Sequence, residues 1–248
     1  MKNLIIGENS QLGYYLEGIR VSSREIPYEF ITKHKWDRIY LCFAEQRTFI
    51  DKSDSFNEIN YELTKKIIDR LYDNCNQFVF YSTTLLWSDY NTYDITMPYS
   101  YKETNYLSSK EKITNYLNGI EKAIVHYPCN FNSKKRKKGF LFTALYDILS
   151  RQRTELKCLD FNKELCHASY IAEKSKSLKT NSILAPGYCT NVRELFDNIL
   201  KRMSINMNDY LEEVGCDDFV KPKEYCYNVV DKTYTKDRLI ESFVEELR

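Results

Sequence analysis

Apolar positions along this chain follow two rhythms. Short, nearly continuous β-prone runs occur at Leu4-Ile5-Ile6, Ile19 to Ser22, Arg38 to Phe43, Phe78 to Tyr81 and Ala123 to His126. The run at 38–43 is apolar almost throughout, as strands covered on both faces of a parallel sheet are. Between the runs lie helical stretches. Phe56, Ile59, Leu63, Ile67 and Leu71 recur at steps of three and four and predict an amphipathic helix over 54–74. Further helices are predicted at 11–18 and 101–119. Alternation of this kind with short connections predicts a right-handed, doubly wound α/β domain with a mostly parallel sheet. After Pro128 the rhythm weakens. A basic loop (Lys134, Lys135, Arg136, Lys137, Lys138) leads into helices near 140–151, 168–178, 190–203 and 236–247, separated by polar pieces. The expected division is a first domain over 1–130 and a smaller C-terminal lobe over 131–248, partly interleaved with it.

Composition narrows the partners. Lys plus Arg number 36 against 35 Asp plus Glu in 248 residues, a net charge of +1. That balance gives no electrostatic footprint for nucleic acid or an anionic membrane. No apolar run reaches the length of about 18 residues that spans a bilayer, so a cytoplasmic protein with a small-molecule ligand is expected. Eight scattered cysteines without a C-x-x-C pair are expected to be reduced thiols. Three histidines give no multi-histidine metal site, and the adjacent Cys166-His167 lacks a spaced second pair, so no metal is expected.

The first turn carries chemistry. Gly7-Glu8-Asn9-Ser10-Gln11-Leu12-Gly13 is a G-x-x-S-x-x-G placed directly after a strand and opening a helix. A glycine at the strand end allows the sharp turn, a small residue at 10 admits a pyrophosphate, and Gly13 permits close helix–sheet packing. The helix N-terminus offers N–H groups to phosphate. Ser10 stands where a third glycine is usual, and its side chain is expected to press slightly on the ligand. Past the second strand, Ser23 and Arg24 replace the acidic residue that reads an NAD ribose, which favours NADP(H) over NAD(H).

A second motif is Tyr106-Leu-Ser-Ser-Lys110, a Y-x-x-x-K that puts phenol and ammonium on one helix face. A neighbouring cation favours phenolate and tunes the phenol as an acid/base. Tyr81-Ser82-Thr83-Thr84 follows the strand at 78–81 and sets hydroxyls at its C-terminal edge, where Thr83 can bond a substrate oxygen opposite Tyr106. The order of phosphate turn, Ser-Thr and Y-x-x-x-K resembles the extended short-chain dehydrogenase/reductases over most of the chain. Within them it is most similar to the dTDP-4-dehydrorhamnose reductase branch of sugar-nucleotide enzymes. Phe43-Ala44-Glu45-Gln46-Arg47-Thr48 sits where that branch has Asn-Ala-Ala, and Asn60 at a helix position the family uses. His126-Tyr-Pro-Cys-Asn130 resembles its Arg-x-x-x-Asn stretch, with His126 in place of arginine. Leu165 to Ala172 and Asn191 to Leu195 look like landmarks of the substrate lobe.

The resemblance implies a Rossmann-type fold and a catalytic triad of Thr83, Tyr106 and Lys110. It implies cofactor contacts from Gly7, Ser10, Gln11, Leu12, Ser23, Arg24, Phe43, Ala44, Tyr106, Lys110 and Pro128. Substrate contacts are implied for Gln46, Arg47, Thr83, Leu85, Trp87 and Asn130, although aromatic residues such as Trp87 line ordinary cores as well as sugar sites. The implied activity is NADPH-dependent reduction of a keto group on a nucleotide-activated sugar, in surface-polysaccharide precursor synthesis, with the basic loop near the diphosphate. A homodimer through the helices at 54–74 and 101–119 is also implied.

Related dehydratases carry an acidic pair after the hydroxyl residue, where this chain has Thr84 and Leu85. Epimerase-reductases of the GDP-fucose synthase type need a cysteine at the place of Leu85. These absences favour plain reduction, or 4-epimerisation with retained NAD. A non-catalytic NADP sensor is the alternative from another class; Ser10, His126 and the short stretch between Arg24 and Trp36 speak for it, and the intact triad against it.

Overall fold

The structure is a computed structural model that describes residues 2–45, 53–135, 140–214, 216 and 220–248. The first half runs β1 (Asn3–Ile6), α1 (Gln11–Tyr15), β2 (Ile19–Val21), α2 (Tyr28–Ile31), β3 (Trp36–Leu41), α3 (Ser53–Phe56), a π-helical stretch at Asn57–Leu63, α4 (Thr64–Leu71), β4 (Cys75–Tyr81), β5 (Thr92–Tyr93), α5 (Asn105–Asn118), β6 (Ala123–Pro128) and β7 (Asn130–Asn132). The second half runs α6 (Phe140–Leu149), β8 (Thr154–Lys157), β9 (Asn162–His167), α7 (Ala168–Ser177), β10 (Ser182–Leu184), β11 (Cys189–Asn191), α8 (Val192–Arg202), β12 (Leu211–Val214), β13 (Cys226–Tyr227) and α9 (Lys236–Leu247).

Six strands form one parallel sheet in the order β10-β6-β4-β3-β1-β2. The expected Rossmann-type α/β architecture is therefore present. Its departure is at one edge. Dinucleotide folds place a further strand outside the second, but the stretch from Arg24 to Trp36 holds only the four-residue α2, so the chain returns directly from β2 to the far side of β1. The reversal of direction beside β1 opens a crevice at the strands' C-terminal ends.

Alternation along β4 shows why both faces are covered. Phe80 lies under the ammonium of Lys110 on α5, 4.6 Å from its ring centroid. The next residue, Tyr81, faces the other way and donates its hydroxyl to Ser175 Oγ on α7 at 2.8 Å. Leu4, Ile5, Ile39, Phe78 and Val79 are fully buried between these layers, which is the pattern of a sheet sandwiched by helices. Arg38 fastens α7 from below, donating to the carbonyls of Ser175, Lys176 and Leu178 at the helix C-terminus.

Outside the main sheet the chain builds a three-stranded sheet (β11-β9-β7) and the parallel pairs β12-β8 and β13-β5, and α8 packs against α9. Cys189 on β11 and Cys226 on β13 bring their sulfurs side by side. No helix among the described residues is long and apolar enough to cross a membrane.

Candidate active site

A cleft of about 710 Å³ opens along the C-terminal ends of β1, β2, β3, β4 and β6. Its lining includes every described residue expected to touch the cofactor: Gly7, Ser10, Gln11, Leu12, Ser23, Arg24, Phe43, Ala44, Tyr106, Lys110 and Pro128. Thr83, Leu85 and Asn130 line it too.

The floor is the first turn. Gly7 has φ +105°, and a Cβ there would sit 2.8 Å from the carbonyl carbon and oxygen of Cys42, so only glycine lets the ends of β1 and β3 approach. At Gly13 a Cβ would meet Gly7 O at 2.7 Å and Ser10 Oγ at 2.9 Å. Ser10 is not the obstruction expected from sequence. Its Oγ accepts from Gly13 N at 2.9 Å as the N-cap of α1 and also reaches the Cys42 thiol, so the hydroxyl is turned into the protein. Arg20 closes the other end of α1 by donating to the carbonyls of Gly13, Tyr14 and Leu16. Together they hold a short helix whose first residues, Gln11 and Leu12, line the cleft.

The catalytic candidates stand on the wall made by β4 and α5. Thr104 caps α5 by accepting from Leu107 N at 3.2 Å, which starts the helix just before Tyr106. Lys110, one turn later, is 2 % exposed and donates to the main-chain carbonyl of Tyr81 at 2.8 Å. Burial alone lowers its pKa to about 7. Thr83 Oγ1 accepts from Leu85 N at 3.2 Å, whereas Ser82 turns inward to Thr114 at 2.9 Å. Of the two hydroxyls, Thr83 is the one not committed to α5.

A buried relay joins the segment after β3 to α5. Asn60 Oδ1 accepts from Glu45 N at 2.7 Å, and its Nδ2 donates to Glu45 O at 3.2 Å and to Ser109 Oγ at 2.9 Å. Ser109 in turn donates to Tyr106 O at 2.7 Å. Asn60 is buried within the π-helical stretch, and such bulges favour functional sites.

Other expectations land elsewhere. Trp87 does not line the cleft: it is fully buried, stacked on Tyr93 at 5.8 Å and donating Nε1 to Met97 O at 3.0 Å. Its place is the core under the lobe, which corrects its assignment as a sugar contact. Gln46 and Arg47 lie outside the described residues, as do Arg136, Lys137 and Lys138 of the basic loop. Lys135 does line the cleft, with its ammonium 4.3 Å from the centre of the Tyr14 ring. His167 and Asn191, within the two lobe landmarks, cap α7 and α8.

His126 occupies the middle of β6 with 0 % exposure, and neither ring nitrogen has a hydrogen-bond partner among the described residues. Burial, with the Arg38 charge nearby, lowers its pKa to about 4 and keeps it neutral. Sequence reasoning missed Glu164 on β9. It is 2 % exposed, receives hydrogen bonds from the Tyr93 hydroxyl, Gly187 N and Tyr227 N, and is raised to about 6 by burial. No periodicity marks it, because Asn162–His167 reads as a polar segment. Cys42, Tyr81 and Phe131 also line the cleft and were missed; each lies within a residue or two of one that was named.

No protein-family profile matches the sequence, and no curated protein does. Solved structures share the fold. The dTDP-4-dehydrorhamnose reductase of Bacillus anthracis, solved with NADP, superposes with a TM-score of 0.80 at 15% identity, over 100% of this chain and 99% of its own. A UDP-N-acetylglucosamine 4-epimerase from Methanobrevibacter ruminantium gives 0.79 at 11% identity over 99% and 96%. The dTDP-glucose 4,6-dehydratase of Bacillus anthracis, solved with NAD, gives 0.77 at 13% identity over 100% and 96%.

Proposed function

We propose that this chain is an NADPH-dependent reductase acting on a keto group of a nucleotide-activated sugar. The observation that carries the reading is the convergence of Thr83, Tyr106 and Lys110 on one wall of a cleft whose floor is a helix N-terminus at the C-terminal edge of a parallel sheet. Ligands of open α/β sheets bind in that crevice, and the similar folds solved with NADP or NAD are consistent with a dinucleotide there.

The residues fit such a group. The turn Gly7 to Leu12 would hold the diphosphate, Ser23 and Arg24 a ribose 2′-phosphate, Phe43, Ala44 and Pro128 the flat faces, and Lys110 ribose hydroxyls. When bound, the nicotinamide supplies the hydride. Tyr106 would give its phenolic proton to the substrate oxygen. Thr83, whose oxygen already accepts from Leu85 N, has its hydroxyl proton left to donate to the same carbonyl. Lys110 would bias the phenol towards proton transfer, and the Tyr81 carbonyl keeps its ammonium from turning away. Lys135 would face the substrate's or cofactor's phosphates. The reading carries a homodimer through the helices over 54–74 and 101–119 and a cytoplasmic role in surface-polysaccharide precursor synthesis.

The test is to follow NADPH consumption by purified protein with a panel of nucleotide-linked 4-keto sugars. Ketone-dependent oxidation supports the reading. Interconversion of 4-epimers without net NADPH consumption would replace it with an epimerase, and NADPH binding without turnover on any member with a sensor.

A further inference from the structure

Away from the cleft, β8 and β12 run parallel, with Leu211 opposite Thr154 and Val214 opposite Lys157. This register carries Cys158, the residue after β8, to the same end of the pair as Cys216, which follows β12. Glu213, within β12, completes a group. Cys158 Sγ, Cys216 Sγ and a carboxylate oxygen of Glu213 all lie within 4.8 Å of one another.

The carboxylate is held from outside that group. Arg193 contacts Glu213 Oε1 at 2.6 Å, and Leu159 N donates to Oε2 at 2.9 Å. Oε2 is also 3.8 Å from Cys216 Sγ. A carboxylate oxygen has lone pairs for both an N–H and an ion. Fixing of a ligand by outer partners is the arrangement that metal sites use.

We propose that Cys158, Glu213 and Cys216 form a zinc-binding site that ties the end of β8 to the segment after β12. Two sulfurs with one carboxylate suit Zn²⁺, which accepts both ligand types at about 2.0–2.3 Å. Calcium and magnesium take oxygen ligands, and monovalent copper prefers sulfur alone. Two thiolates and one carboxylate carry three negative charges; the ion offsets two and the Arg193 guanidinium the third. Cys158 is buried and Cys216 exposed, so the ion enters from the Cys216 side, where water fills the fourth position. Each thiol loses its proton on binding, and two protons pass to solvent.

The test is titration of the reduced, metal-free full chain with Co²⁺ and then Zn²⁺. The expected result is one ion per chain, with a thiolate-to-cobalt charge-transfer band in the near ultraviolet that zinc abolishes. Cys216→Ser, at an exposed position, is expected to lose the band with an unchanged circular dichroism spectrum. Arg193→Ala is expected to weaken zinc affinity by about 10–100-fold. Cys189→Ser is expected to keep the band, which separates this site from the neighbouring sulfurs of Cys189 and Cys226. A reduced chain with no band, or a band that survives Cys216→Ser, overturns the proposal. So does a Cys158–Cys216 disulfide whose reduction yields no metal uptake.

Discussion

The ammonium of Lys110 lies 2.8 Å from the main-chain carbonyl of Tyr81, two residues before Thr83. That bond fixes the helix bearing the Y-x-x-x-K to the strand end bearing the hydroxyl, so three side chains from two elements share one wall. It also places a cation where burial lowers its pKa to about 7.

Burying Lys110 therefore costs stability. Its folded pKa is below the ordinary lysine value of 10.5, so unfolding takes up a proton between pH about 7 and 10.5 and stability rises with pH through that window. Lys110→Met lacks this slope. It is expected to be more stable than the parent at pH 6 by about 1–3 kcal/mol, after allowing for the Tyr81 carbonyl left unpaired, and to lose turnover. Urea melts at pH 6 and pH 9 check this; an equal stability difference at both pH values would contradict it.

Arg24 lines the cleft just beyond β2. Hydrogen bonds to a charged partner contribute about 1.5–3 kcal/mol, so Arg24→Ala is expected to weaken NADPH binding by about 10–100-fold and leave NADH binding unchanged. Fluorescence titration with both dinucleotides measures the ratio. Equal losses for the two would show that Arg24 does not read the 2′-phosphate.

His126 links acid stability to the core. Its folded pKa of about 4 is below the ordinary histidine value of 6.5, so unfolding takes up a proton in the window between them. Stability held above pH 6.5 is lost as pH falls through about 4. The full effect is about 3 kcal/mol. His126→Leu removes it, and the stability of the variant relative to the parent is expected to improve by about 2 kcal/mol between pH 7 and pH 4.5. Chemical denaturation at the two pH values decides; a constant difference would mean that His126 does not titrate in this range. His167, also lowered to about 4 by burial, is common to both proteins.

Ser10 caps α1 through Gly13 N. Ser10→Ala is expected to cost about 0.5–2 kcal/mol, and Ser10→Gly only a few tenths. Thermal melts of both variants are the check. Equal losses would remove the capping role.

Much of the cleft was legible because its chemistry is local. Gly7 to Gly13 is one turn, Tyr106 and Lys110 are one helical turn apart, and Thr83 follows an apolar strand. What the sequence hid was assembled at long range. β10 is a three-residue strand in a polar stretch, and it completes the main sheet only because β6 offers its edge. Asn60 faces inward four residues after Phe56 and four before Thr64, but polar side chains leave no mark in a pattern of apolar positions. Glu164 is a carboxylate in a polar strand whose burial comes from the Tyr93 hydroxyl and two backbone N–H groups brought by other segments. Trp87 was misread because an aromatic residue near a site has the same local signature whether it faces a sugar or the core. Cys158 and Cys216 meet only through the β8–β12 register.

The most direct measurement of the central claim is turnover by Tyr106→Phe beside the parent, with NADPH and a nucleotide-linked 4-keto sugar that the parent reduces. Loss of the phenolic proton donor is expected to lower kcat by about 10²–10⁴-fold while NADPH affinity stays within about twofold of the parent. A variant that reduces the ketone at the parent's rate would contradict the account.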